Sequence, residues 1–441
     1  MQSETRSSER PTPRYQGAAK SGQREVIRAL YDRICNSYQT GDKVAYTFVQ
    51  PGAPELMRSF GLHAVALPEI QALQCAVKGV HGNLIAKAQE AGYSDDVCGY
   101  IHIDVGLMES GLQHPFGKIP PPDIVVCPTD CNTWIKWSEI WAERFHAPVF
   151  LLDHPIRFRN LDSYWGSEDF NRDRRYLLSQ LEDLIAGLEK LTGKKFDPDR
   201  LAECEQNSNR VADLWDEIRA MNRRIPAVWD GHEDALYYMG AGISGRGSAL
   251  PVAFFEAVKK ELEERIQLGL YPAAPQKFRI GVTLAPCWSK LPAFISLFKK
   301  RAAAVVWTGY SDFLTTRGHR YDPSRPLESL AEGFLMYNVR GNNYRGVDWL
   351  PHIEEAYREF HLDGIVLHVI KSCRNASTGI ADYRNHLQRQ GIPTVVVESD
   401  LVDNRYFSEA QMRNRIDAFL EALEHRKLTG GESHKHDSPD R

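Results

Sequence analysis

The chain reads as an α/β protein of two doubly wound lobes, each built on a four-stranded parallel sheet and connected by a mainly helical segment. Three observations carry that expectation. A stretch from Asp123 to Asp153, DIVVCPTDCNTWIKWSEIWAERFHAPVFLLD, repeats its plan about 240 residues later in DGIVLHVIKSCRNASTGIADYRNHLQRQGIPTVVVE. Each copy runs from an Asp into a β-branched strand, then a polar turn holding a cysteine, a helical stretch, a proline and a second apolar run ending in an acid. Four apolar strands are spaced before residue 153 and four after 277, with helical crossovers that require parallel pairing. Between them the apolar period is helical throughout.

Taken in order, residues 1–22 lack an apolar stretch and read as a disordered lead-in. The first α/β lobe, 23–170, opens with an amphipathic helix, Gln23 to Cys35, whose Val26, Ile27, Leu30 and Ile34 share a face. KVAYTFV (43–49) is a strand, PELMRSF a helix and AVALPE (64–69) a second strand, before the strands near 124 and 149. Residues 171–275 form the helical segment: Leu177, Leu181, Leu184, Ile185 and Leu188 keep i, i+3, i+4 spacing, Thr192-Gly193 closes that helix and Asp197-Pro198 opens another. The second lobe, 276–426, supplies FRIGVTL, AAVVWTGY, GIVLHVI and PTVVVES as strands. It ends in a helix from Ser408, with Gln411 as capping-box partner and Ile416, Phe419, Leu420 and Leu423 inward. Residues 427–441 read as a disordered tail, with His434 and His436 solvated.

At 441 residues the chain exceeds the ~250–300 at which single cores stop growing. A net charge of −4 and a pI near 6.4 leave no basic footprint for nucleic acid or an anionic membrane. No apolar run approaches the ~20 residues that span a bilayer. Eight cysteines, at 35, 75, 98, 127, 131, 204, 287 and 373, are too dispersed for a disulfide framework. A cytoplasmic protein with reduced thiols follows, whose special cysteines are metal ligands or nucleophiles.

Cys131 and Cys373 occupy equivalent positions of the repeat, where a strand ends and a helix begins, the place where α/β sheets gather ligands. Cys98 joins them: Ser94, Asp95 and Asp96 read as cap and first turn, which puts Cys98 about one turn into a helix. Helix starts favour the thiolate, the form that binds metal. Paired zinc knuckles and compact ferredoxin spacing are both missing. Three thiolates with no fourth protein ligand suit an iron–sulfur cluster with one open iron, although spacing alone leaves a purely structural role for the thiols open. Gly240-Ala-Gly242-Ile-Ser-Gly245 matches the dinucleotide fingerprint, but no strand ending in an acid follows at ~20 residues; the segment reads as a flexible loop over a ligand.

The segments SDDVCGY, TDCNTWIKWSE and IKSCRN, followed by VESDLVDNRYFS, resemble the family of 2-hydroxyacyl-CoA dehydratases and ATP-dependent benzoyl-CoA reductases, over about residues 25–425. The resemblance implies that Cys98, Cys131 and Cys373 hold a 4Fe-4S cluster and that Cys127 stands outside the ligand set. It further implies a homologous active-site subunit facing this one, and separate ATPase subunits with their own iron–sulfur cluster, which deliver electrons from ferredoxin. The reaction it implies is two-electron dearomatisation of benzoyl-CoA to cyclohexa-1,5-diene-1-carbonyl-CoA in anaerobic aromatic degradation. For that chemistry His102, His154 and His368 are candidate proton donors, and Trp134, Trp137 and Trp141 a candidate aromatic wall, with a structural role in the core the alternative for each. A 2-hydroxyacyl-CoA dehydratase subunit is the nearest rival, and a two-lobed binding protein without catalysis a reading of another class. The sequence holds no GxxxxGK[ST] phosphate loop, in keeping with ATP hydrolysis elsewhere.

Overall fold

The computed structural model describes residues 17–49, 52–155, 161–273, 275–315, 318–339 and 350–429. Its strands are β1 (Val44–Tyr46), β2 (Ala64–Ala66), β3 (Ile124–Pro128), β4 (Val149–Leu152), β5 (Phe278–Val282), β6 (Ala303–Thr308), β7 (Gly364–Ile370) and β8 (Thr394–Ser399). They form two four-stranded sheets in the orders β2-β1-β3-β4 and β6-β5-β7-β8, parallel at every pairing. The α/β class and the two parallel sheets are as the repeat predicts. Each order reverses at its centre, between β1 and β3 and between β5 and β7, so each sheet has a switch point at the carboxyl ends of those strands.

Alternation of side chains explains why both faces of each sheet are buried. Val44, Tyr46, Val125 and Cys127 enter one apolar core, while Ala45, Ile124 and Val126 enter another. In the second sheet Ile365 and Leu367 face the first of these cores, and Ile280, Val282 and Val366 a third. The first core therefore runs continuously from one sheet to the other and packs them together, with Trp137, Trp141, Trp215, Trp229 and Trp307 fully buried in it.

In the chain between β4 and β5, after the short helix Leu161–Tyr164, come four longer helices, Glu168–Thr192, Pro198–Met221, Ala235–Ser244 and Leu250–Leu268. Gly193 ends the first in the left-handed conformation that a C-terminal glycine permits, and Asp197 caps the second through its side chain, accepting from the Asp199 and Arg200 amides.

Four local expectations need correction. The first helix begins at Ala18, inside the supposed lead-in, because the Ala19 amide donates to Glu261 Oε2 at 2.9 Å and Ala19 packs into the core; residues 1–16 lie outside the described residues. The Gly240–Gly245 segment is no loop: Gly240 and Gly242 lie within the helix Ala235–Ser244, where a Cβ on Gly242 would stand 3.1 Å from Leu314 and 3.2 Å from Phe255. The small residues there admit close helix packing. Ser408 does precede the last helix, Glu409–Leu428, but makes no side-chain cap bond. Ser408 and Gln411 are both exposed, where water competes for the same groups. Lys427, Leu428 and Thr429 extend the described structure into the supposed tail, while His434 and His436 lie outside the described residues. Among the described residues no helix is long and apolar enough to cross a membrane.

Candidate functional site

The carboxyl ends of β3 and β7, at the two switch points, lead directly to Cys131 and Cys373. Cys131 is the N-cap of the helix Asn132–Phe145, its carbonyl accepting from the Trp134 amide at 3.0 Å. Cys373 is the N-cap of the short helix Arg374–Ser377. Cys98 is the N-cap of Gly99–Ser110, not a residue one turn inside it. The preceding acids do not cap that helix. Ser94 to Val97 close a turn, and Asp95 and Asp96 pair instead with Arg405 at 3.2 Å and Arg374 at 2.8 Å in the second lobe. All three cysteines thus stand at helix starts, as the sequence predicts, with Cys98 one turn earlier than its neighbouring acids suggest.

The two lobes meet at Cys98. The Gly99 amide donates to Ser372 Oγ at 3.1 Å, one residue before Cys373. A Cβ on Gly99 would stand 2.5 Å from Val402 and 2.9 Å from the Asp400 carboxylate, so only glycine permits this approach. Asp400 is fully buried and accepts from the amides of Ser372 at 2.9 Å and of Val402 and Asp403, each at 3.1 Å. One carboxylate therefore ties the Cys373 turn to the loop that receives Cys98.

Electrostatics couples the three thiols. Burial is the largest effect and raises the pKa of each. Cys373 is pushed up to about 12, with Cys131 adding to its shift, and Cys98 is raised further by both Cys373 and Cys131. The amides of Tyr100, of Thr133 and Trp134, and of Ala376 act in the opposite direction on Cys98, Cys131 and Cys373. The helix starts do favour the thiolates, but burial outweighs them. Three clustered thiols of this kind ionise when a cationic centre offsets both burial and their mutual repulsion. Among the described residues no group of three His, Cys, Asp or Glu side chains is placed to hold a metal ion.

Around the cysteines stand groups that sequence reasoning missed. Glu69 follows β2 and is buried; burial pushes its carboxyl up to about 8, while the Val49 amide and the Trp134 indole pull it down. Its Oε2 accepts no hydrogen bond of good geometry. Tyr100 Oη accepts from the Trp288 indole at 2.6 Å, and Tyr310 interacts with Tyr100, Glu69 and Cys373. The one sequence signal for Glu69 was an acid directly after an apolar strand, the carboxyl end where sheet ligands gather.

The predicted donors separate. His368 is fully buried, with Nδ1 2.8 Å from Ala285 O and Nε2 2.8 Å from Ser399 Oγ, and burial lowers its pKa to about 4. It is structural. His102 is buried, with its pKa lowered by burial and no hydrogen bond at Nε2. His154 Nδ1 stands 2.8 Å from Asp130 Oδ2, next to Cys131 in sequence, both side chains fully buried. Of the tryptophans, Trp137 and Trp141 both donate to Asp104 Oδ2, at 2.6 and 2.8 Å, and belong to the core. Trp134 alone is half-buried. Cys127 is enclosed in β3 with no exposed surface, and Cys75 and Cys287 are likewise fully buried.

The family profile described as 2-hydroxyglutaryl-CoA dehydratase, D-component, matches residues 53–423. The chain is 33% identical to a subunit of the benzoyl-CoA reductase of Thauera aromatica, over 92% of this chain and 94% of that protein. It is 26% identical to the alpha subunit of (R)-2-hydroxyglutaryl-CoA dehydratase of Acidaminococcus fermentans, over 91% and 96%. To the (R)-phenyllactyl-CoA dehydratase alpha subunit of Clostridium sporogenes it is 28% identical, over 92% and 95%. The resemblance read from the cysteine segments is thereby borne out: this chain belongs to the 2-hydroxyglutaryl-CoA dehydratase, D-component family, which includes benzoyl-CoA reductase and 2-hydroxyacyl-CoA dehydratase subunits.

Proposed function

We propose that this chain is the active-site subunit of an ATP-dependent benzoyl-CoA reductase, with Cys98, Cys131 and Cys373 holding a 4Fe-4S cluster in the cytoplasm of an anaerobically growing cell. The observation that supports it most is that Cys98 and Cys373 flank the contact between the lobes, at Gly99 and Ser372, with Cys131 electrostatically coupled to both, in a chain a third identical to a benzoyl-CoA reductase subunit. When bound, the cluster supplies single electrons at low potential. The chain's own residues do the rest. Desolvation around the three thiols strengthens the electrostatic interactions among them. Glu69 carries a proton below about pH 8 and has an oxygen free to deliver it. The Trp288–Tyr100–Tyr310 line fixes a second hydroxyl group beside Cys373.

The partners in this reading are a homologous subunit, an ATPase pair with a further cluster, and ferredoxin; three of the relatives are themselves named as subunits. A 2-hydroxyacyl-CoA dehydratase would use the same residues and return its electron each cycle. Electron counting in the reconstituted complex separates the two. Two electrons consumed per diene formed support the reductase, whereas dehydration of a 2-hydroxyacyl-CoA with only catalytic electrons would replace it.

A further inference from the structure

The proposed site leaves open what selects the acyl group, and one side chain is placed to do so. Trp134 lies in the first turn after Cys131. Its indole lies on Phe48 with centroids 5.1 Å apart and planes 22° from parallel. Phe48 is 1% exposed and stacks in turn on Trp141 at 5.5 Å and 19°, so the backing is fixed in the core. Trp137 and Trp141 are anchored to Asp104, whereas the indole N–H of Trp134 acts on the Glu69 carboxyl. Trp134 is half-buried, and among the described residues no ring other than Phe48 stacks on it. Its plane is therefore set by Phe48 behind it, beside Cys131, with no stacked ring on its other face.

We infer that Trp134, backed by Phe48, is a specificity-determining face of the acyl pocket: it stacks on a flat aromatic acyl group and gives a saturated one only ordinary apolar contact. The inference rests on the reading of this cleft as a CoA-thioester site. Aromatic pairs gain beyond their buried area, by roughly two- to tenfold in affinity. A face already held in place loses little entropy when a ring settles on it.

The test compares benzoyl-CoA with cyclohexanecarbonyl-CoA, which keeps the carbon count and the CoA but loses the π face. Binding to the anaerobically purified full-length protein, without an electron donor, is measured by calorimetry, with iron per chain determined for each variant. Wild type should favour benzoyl-CoA several-fold. Trp134→Leu should abolish that preference through weaker benzoyl-CoA binding alone, and Trp134→Phe should restore much of it. No preference in wild type, an equal loss for both thioesters in Trp134→Leu, or an unchanged preference in both variants would overturn the inference. Should Trp134→Leu lose iron, the decision falls to Trp134→Phe and Trp134→Tyr, which must keep the preference. The preference without ring reduction by the assembled complex would sink the reductase reading and leave the selector standing; ring reduction with an unchanged preference in Trp134→Leu would do the reverse.

Discussion

Gly99→Ala adds one methyl group where the lobes touch. The new Cβ would stand 2.5 Å from Val402 Cγ2, 2.9 Å from Asp400 Oδ1 and 3.6 Å from Ser372 Oγ. Val402 is β-branched and fully buried, and Asp400 Oδ1 already accepts two amides, so neither yields freely. Overpacking of this kind costs about 1–3 kcal/mol. Losing the Gly99 to Ser372 hydrogen bond adds about 1 kcal/mol. The control is Gly82→Ala, in the exposed first turn of the helix His81–Glu90, where a Cβ meets nothing within 4 Å. That change should be neutral or stabilise by up to about 1 kcal/mol. Urea unfolding followed by circular dichroism gives the ranking, read at the first transition because so long a chain does not unfold in two states. Iron per chain is measured in parallel, since the displaced loop carries Cys98. A wild-type midpoint with full iron in Gly99→Ala would show that the Cys98 turn and the Asp400–Val402 loop do not meet as described.

Other substitutions probe the surroundings. Glu69 has a raised pKa, so its proton is present below about 8 and lost as pH rises through that value. Activity of the reconstituted complex should fall on that alkaline limb, and Glu69→Gln should lower the rate roughly hundredfold and erase the limb; an unchanged profile would remove Glu69 from proton delivery. Asp104→Ala strands the indole N–H groups of Trp137 and Trp141 in the core, costing roughly 2–5 kcal/mol in urea unfolding, with near-ultraviolet dichroism reporting the loosened rings. Cys127→Ser should keep its iron, because that side chain is enclosed in β3 with its thiol facing Pro128 O at 3.5 Å; lost iron there would mean the ligand set is misassigned.

Much of the architecture was legible because it is written locally. The two copies of strand, cysteine turn, helix and strand specify parallel sheets through side-chain period alone, and β7 spans the apolar run GIVLHVI from end to end. Errors arose where distant partners overrode a local signal. Ser94-Asp95-Asp96 resembles a helix cap, yet Asp95 and Asp96 pair with Arg405 and Arg374 in the other lobe, and the helix waits for Gly99. The glycines of 240–245 signalled a loop, but contacts with Leu314 and Phe255 make them the packing face of a helix. Glu69, Tyr100, Tyr310 and Asp400 went unnoticed for the same reason. Each acquires its meaning from a neighbour in the opposite lobe or in another turn, and no spacing rule records such pairings.

The central claim is that Cys98, Cys131 and Cys373 together hold one cluster, and iron with acid-labile sulfide per chain, measured under strict anaerobiosis, tests it directly. The wild-type chain should carry about four of each, and Cys98→Ala, Cys131→Ala and Cys373→Ala should each lose most of both, since three thiolates leave no spare ligand. Wild-type iron in the Cys373→Ala variant, or a wild-type chain free of iron and sulfide, would contradict the account.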